Sequence, residues 1–193
     1  MVERAEPGEV VTFWIGQAEK TWFTADPAFD AKVRSRFGEH VERAKSGAFD
    51  HWAESPVGAL ALVILLDQMT RNMYRDSPEM FAADGKALAV AKRAIERGFD
   101  RELSKNERRW LYMPFMHSEE LADQERSIEL FAEADLSESI AFAVDHADII
   151  RRFGRFPHRN AILGRLTTPE EAAFLAGGGF AGITPQEPAE PGS

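Results

Sequence analysis

Pro56-Val57-Gly58-Ala59-Leu60-Ala61-Leu62-Val63-Ile64-Leu65-Leu66-Asp67-Gln68-Met69-Thr70-Arg71-Asn72-Met73-Tyr74-Arg75 decides the architecture. From Pro56 to Leu66 no side chain is charged or strongly polar. A helix so apolar all round has to be buried, and it is far short of the roughly 20 residues needed to span a bilayer. After Leu66 the character switches to a dense polar face. Asp67 and Arg71, Gln68 and Asn72, and Arg71 and Arg75 are each four apart. They form one stripe about 140° wide, with Leu62, Leu66, Met69 and Met73 in the apolar remainder. Burying an unpaired ion costs several kcal/mol, so these groups either lock to other helices or line a cavity that holds something. Two readings stay open. One is an Asp67–Arg71 brace with capping amides; the other is a site floor where Arg71 and Arg75 hold an anion that Gln68 and Asn72 orient.

Outward from this segment, helix punctuation recurs. Asp26-Pro27, Ser55-Pro56, Ser77-Pro78 and Thr168-Pro169 each place a capping oxygen before a proline suited to the first helical position. Ser104 with Glu107 and Thr168 with Glu171 have the spacing of capping boxes. Glycines 47, 98, 154 and 177 fall where helices should stop. Between these marks apolar residues keep the helical period, as in Phe29, Val33, Phe37 and Val41. The spacing predicts helices over 8–17, 27–46, 56–75, 78–97, 105–118, 120–134, 137–153, a short one from 157, and 169–176, with no alternating strand. The expected fold is all-α, antiparallel helical hairpins in one domain over 1–183. Residues 184–193, polar and proline-rich, read as a loose tail.

The chain has 193 residues, 44% hydrophobic and 28% charged, the composition of an ordinary globule. A formal net charge of −9 and a pI near 5.1 argue against general binding to nucleic acid or a membrane surface. Zero cysteines exclude disulfides, thiolate nucleophiles and cysteine metal sites. No basic region followed by an apolar stretch opens the sequence, and a cytoplasmic protein is expected.

Two further polar blocks stand out. In Trp110-Leu111-Tyr112-Met113-Pro114-Phe115-Met116-His117-Ser118-Glu119, Pro114 should kink or end its helix and leave His117 and Glu119 at an irregular position. His117-x-Glu119 suits acid–base chemistry, and its spacing matches no strong metal motif. The third block, Asp145 to Arg165, carries Arg151, Arg152, Arg155, Arg159 and Arg165 with His158, and no carboxylate lies between Ile149 and Pro169. Arginine is the residue for planar recognition of carboxylate or phosphate, and Pro157 starts a helix whose end favours an anion. The competing reading pairs these arginines with acids such as Asp67, Asp84 or Glu119. His146 falls on an apolar face and reads as a core histidine; Asp84 lies in the middle of its helix's apolar face and needs an arginine partner.

Leu66-Asp67-Gln68-Met69-Thr70-Arg71-Asn72, Pro114-Phe115-Met116-His117-Ser118-Glu119 and Phe153-Gly154-Arg155-Phe156-Pro157-His158-Arg159-Asn160 together resemble the bacterial domain-of-unknown-function family numbered nine-two-four. The likeness runs from about Val10 to Phe180. It implies a tetratricopeptide-like all-helical fold, although the tetratricopeptide consensus appears in no window of the sequence. The family brings no established activity and therefore no catalytic roles.

These observations converge on one expectation. Gln68, Arg71, Asn72, Arg75, His117, Glu119, Arg155, His158, Arg159 and Asn160 should meet in one positively charged recess around a small anionic or polar molecule, walled by Trp110, Phe115 and Phe156. No cofactor or metal is called for. One alternative is a small hydrolase or lyase with His117 or His158 as base and Glu119 orienting it. Another is an interaction scaffold for protein partners, in which the polar blocks only brace the fold.

Overall fold

Leu60, Ala61, Leu62, Val63, Ile64, Leu65 and Leu66 are all without solvent exposure, so the apolar segment is the axis around which the other helices pack. Each such leucine or isoleucine contributes about 1.5–3 kcal/mol by burial, before the cost of ordering it. The computed structural model describes residues 6–18, 21–22 and 25–179. In chain order its helices are α1 (Pro7–Ile15), α2 (Pro27–Lys45), α3, α4 (Asp84–Glu96), α5 (Lys105–His117), α6 (Leu121–Glu133), α7 (Ser137–Phe153) and α8 (Pro169–Ala176). Helix α3 is a single rod made of α-helix Pro56–Val63, a π-helical stretch Ile64–Met69 and α-helix Thr70–Met73. Short 3₁₀ turns cover Asp50–Glu54, Pro78–Met80, Phe99–Glu102 and Pro157–Arg159. No strand occurs among the described residues, so the fold is all-α. The tail at 184–193 lies outside the described residues.

Helix α3 packs against α1, α2, α4 and α5, and the chain then adds α6 on α5 and α7 on α6 in sequential order. A smaller core of Ile149, Ile150 and Phe156, with Phe153 and Phe174 against it, seats the C-terminal segment. None of the described helices is long and apolar enough to cross a membrane.

Capping chemistry explains most of the boundaries. Asp26 accepts from the amides of Ala28 and Phe29 at 2.9 and 3.2 Å, and Ser55 accepts from Gly58 at 3.2 Å. Both predicted capping boxes form, at Ser104 with Glu107 and at Thr168 with Glu171. A third, from Glu6 with Glu9, opens α1. Gly98 and Gly154 take the left-handed conformation after α4 and α7, with φ of 74° and 68°, which a side chain would disfavour.

Two expectations are corrected. Ser77-Pro78 starts a 3₁₀ turn rather than a long helix over 78–97: the chain turns again through Phe81–Ala83, and α4 begins only at Asp84. Asp84 therefore sits at the amino end of α4, where a carboxylate meets the positive end of the helix dipole, and not in the middle of a helical face. Helix α5 also does not end at Pro114: it continues to His117, with Ser118 as its C-cap.

Candidate functional site

The π-helical stretch holds the first polar block. One additional residue per turn rotates everything beyond it relative to an ideal wheel, which divides the predicted stripe between two sides of α3. Asn72 and Arg75 turn to α2. Asn72 donates to Asp30 at 2.8 Å, and Arg75 grips the same carboxylate through Nε and through Nη2 at 3.0 Å. Asp67 and Arg71 turn the other way, toward α4 and α5. Thr70 Oγ1 donates to the carbonyls of Leu66 and Asp67 at 3.0 and 3.2 Å, supplying donors to the widened turn.

Asp67 is wholly buried, and its carboxylate is the hub. Arg71 lies 3.2 Å from Oδ1, Gln68 donates to Oδ2, and His117 Nδ1 is 2.8 and 3.0 Å from the two oxygens. Burial by itself would raise its pKa. Arg71, His117 and the Gln68 amide together outweigh that and hold the carboxyl down at about 2. An ionised carboxylate only accepts, so His117 donates from Nδ1–H. Burial, reinforced by nearby Arg71, lowers the His117 pKa and keeps the ring neutral at pH 7. Its tautomer is then set, with the lone pair on Nε2.

Asp84 completes the floor. Arg71 clasps it in a fork, Nη1 to Oδ1 at 3.0 Å and Nη2 to Oδ2 at 2.9 Å. Arg159 reaches it only at 3.6 Å, donates from Nη2 to the carbonyl of His117 at 2.9 Å, and lies between the rings of Phe81 and Phe156, 4.6 Å from each centroid. Its Nε is buried with no hydrogen-bond partner among the described residues. Burial, followed by the like charge of Arg71, pulls its pKa down to about 10, which still leaves it charged at neutral pH.

These groups face an open cleft of about 350 Å³ between the turn before α4, the end of α5 and the segment after α7. Asp84, His117, Ser118, Glu119 and Arg159 supply its polar lining, and Phe81, Leu88, Pro114 and Leu163 its apolar walls. His117 keeps 13% of its side chain exposed here, and no described residue bonds its Nε2. Of the ten residues singled out from sequence, His117, Glu119 and Arg159 line the cleft, while Gln68 and Arg71 stand behind it.

The others have separate work. Arg155 forms a fork with Glu171 at 2.7 and 2.9 Å, and Asn160 donates to the same carboxylate at 3.2 Å, tying α8 to the loop after α7. Glu119 is clasped by Arg165 at 2.8 and 3.0 Å and accepts from the Phe156 amide at 2.8 Å. Arg165 and that amide outweigh burial and keep Glu119 below the usual carboxylate range. Glu119 therefore braces the C-terminal segment, and Asp67 is the carboxylate that orients His117. His158 is half-buried beside Phe156 and does not line the cleft; desolvation takes its pKa down to about 4. His146 is the core histidine the sequence implied, its Nδ1 bonded to the Phe142 carbonyl at 2.6 Å.

Two further expectations change. Trp110 is fully buried at the α1–α5 contact, edge-on to Trp14 with centroids 5.5 Å apart, and Phe115 and Phe156 are buried as well, so none of the three is a wall. Nor is the recess strongly positive. The guanidinium groups expected to converge there mostly meet carboxylates, because a buried guanidinium requires one: Arg71 with Asp67 and Asp84, Arg165 with Glu119, Arg155 with Glu171. Arg159 is the under-compensated one, since Asp84 is already held by Arg71.

The family model described as "Bacterial protein of unknown function (DUF924)" matches residues 10–179. The chain belongs to that family. A solved structure, of a protein of unknown function from Agrobacterium tumefaciens, is 40% identical, with a TM-score of 0.85 over 89% of this chain and 97% of that one. Among curated proteins none matches this DUF924 chain.

Proposed function

We infer that this DUF924 protein binds a small anionic molecule in the cleft, with Arg159 holding a carboxylate or phosphate group and neutral His117 engaging a donor on the same ligand. Arg159 carries the reading. A buried guanidinium with an unbonded Nε, a long 3.6 Å approach to a carboxylate already shared, and a place in the wall of an open cleft is short of one anion. The volume of about 350 Å³ suits a small metabolite, and the apolar walls suit its carbon skeleton. The sequential pairing of α5 with α6 and α6 with α7 is consistent with a tetratricopeptide-like hairpin array as the frame.

The test is thermal melting with phosphate, small carboxylates and nucleotides, one at a time. A ligand at a hundredfold its Kd stabilises by about 2.7 kcal/mol. At this chain length that corresponds to a rise of about 5–10 °C. Arg159→Ala is expected to abolish the rise, whereas Arg155→Ala, whose guanidinium is occupied by Glu171, keeps it. No rise with any anion, or a rise that survives Arg159→Ala, overturns the reading.

A further inference from the structure

The Asp67–His117 pair is more than ligand binding requires. An anion needs Arg159. It has no need for a neutral imidazole whose Nδ1 is held by a wholly buried carboxylate at 2.8 Å while the residue lines the cleft and no described residue bonds its Nε2. That arrangement is what a proton acceptor needs: the tautomer is fixed, the ring cannot turn, and the imidazolium formed on protonation stays beside a negative charge. His146, with its ring centroid 6.5 Å from that of His117, is bonded to a backbone carbonyl, and His158 is not among the residues lining the cleft. Ser118, the hydroxyl in the lining, donates to Asp123 at 2.9 Å and accepts from the Glu120 amide at 3.2 Å, so it is not disposed as a nucleophile.

Resting on the ligand reading above, we propose that His117 is the general base of an enolising site for small 2-oxo carboxylates, with Arg159 as the electrophilic partner. The guanidinium and the imidazole belong to one corner of the cleft, because Arg159 donates to the backbone carbonyl of His117 itself at 2.9 Å. The Arg159 fork spans a carboxylate oxygen and the adjacent keto oxygen of the substrate. His117 Nε2 takes a proton from C3: the C3–H bond breaks, N–H forms, C2=C3 forms, and the carbonyl pair moves onto the keto oxygen against the guanidinium. Return of the proton to C3 regenerates the acid and leaves the enzyme unchanged, so the balance needs no co-reactant. Phe81, Leu88, Pro114 and Leu163 offer an apolar surface to the alkyl portion. Asp67 acts through His117 as a positioning residue.

The experiment uses the full chain in D2O with 2-oxobutanoate, 3-methyl-2-oxobutanoate and 2-oxoglutarate, following loss of the C3 proton signal by NMR, with thermal melting recorded on the same samples. Wild type is expected to exchange C3 at least about 100-fold faster than buffer, the lower range for a positioned general base. His117→Gln should drop to the buffer rate, with a melting shift that is reduced but not abolished because Arg159 still holds the carboxylate. Asp67→Asn should lower the rate and move its pH profile, which a purely structural role would not do. A melting shift with exchange at the buffer rate in wild type, or undiminished exchange in His117→Gln, overturns the enolising site and leaves the ligand reading standing. No melting shift with these acids or inorganic phosphate, together with buffer-rate exchange, overturns both.

Discussion

Replacing Asp67 by asparagine keeps the shape of the hub and removes its charge. The folded carboxyl titrates at about 2 against 3.8 for the free side chain, a difference worth roughly 2–3 kcal/mol at neutral pH. Breaking a buried ion pair by removing one partner costs about 3–5 kcal/mol, and the lower end applies because Arg71 retains its fork to Asp84. We expect a loss of about 3 kcal/mol at pH 7, a fall in Tm of about 6–12 °C for a chain of this size. The sign with pH separates charge from packing. As pH falls the unfolded chain protonates Asp67 near 3.8, whereas the folded chain resists until about 2. The contribution is therefore complete above pH 5 and disappears between about pH 4 and 2. Urea denaturation followed by circular dichroism, in buffers from pH 7 down to 2.5, should show wild type and Asp67→Asn separated at neutral pH and converging in acid. A gap below about 0.5 kcal/mol at pH 7, or one that stays constant into acid, refutes the hub as an ionic device.

Other outcomes follow from particular contacts. Asp84→Asn frees Arg71 and Arg159 together, so it should cost about 1–3 kcal/mol in urea titration yet enlarge the anion-induced melting shift, because a carboxylate competing for Arg159 is gone; a smaller shift counts against Arg159 as the anchor. Gly58→Ala improves helix propensity but places a Cβ 2.7 Å from Ser55 Oγ and 2.9 Å from the Trp52 carbonyl carbon, so it should destabilise by about 1–3 kcal/mol in the same assay. Glu171→Gln removes the charge that Arg155 and Asn160 share, and hydrogen exchange should speed up across 156–176 while α6 and α7 remain protected. Burial holds His146 at about 3 and His158 at about 4, so the unfolded chain, titrating near 6.5, takes up their protons first as pH falls. Stability should decline below pH 6.5 by up to about 1.4 kcal/mol per pH unit for each histidine, and His146→Leu should flatten the urea-midpoint slope between pH 6 and 4.

By itself the sequence determined the all-α class, the buried course of α3 and most helix starts, because these rest on local physics: a capping oxygen before a proline, an apolar run with no polar face. It also named His117, Glu119 and Arg159, since aromatic, proline and arginine crowding is visible within a few residues. Tertiary structure decided what those residues do. The π-helical stretch rotated Asn72 and Arg75 toward Asp30 and left Asp67 facing His117, fifty positions away, and no wheel drawn at 100° per residue contains that displacement. Glu119, two residues from His117 in the chain, went to Arg165, because a carboxylate at the seam of the C-terminal segment meets the guanidinium docked there. Pairing of buried charge is a long-range condition, satisfied only when separate helices close on one another, and it settled which arginine was left to serve the cleft.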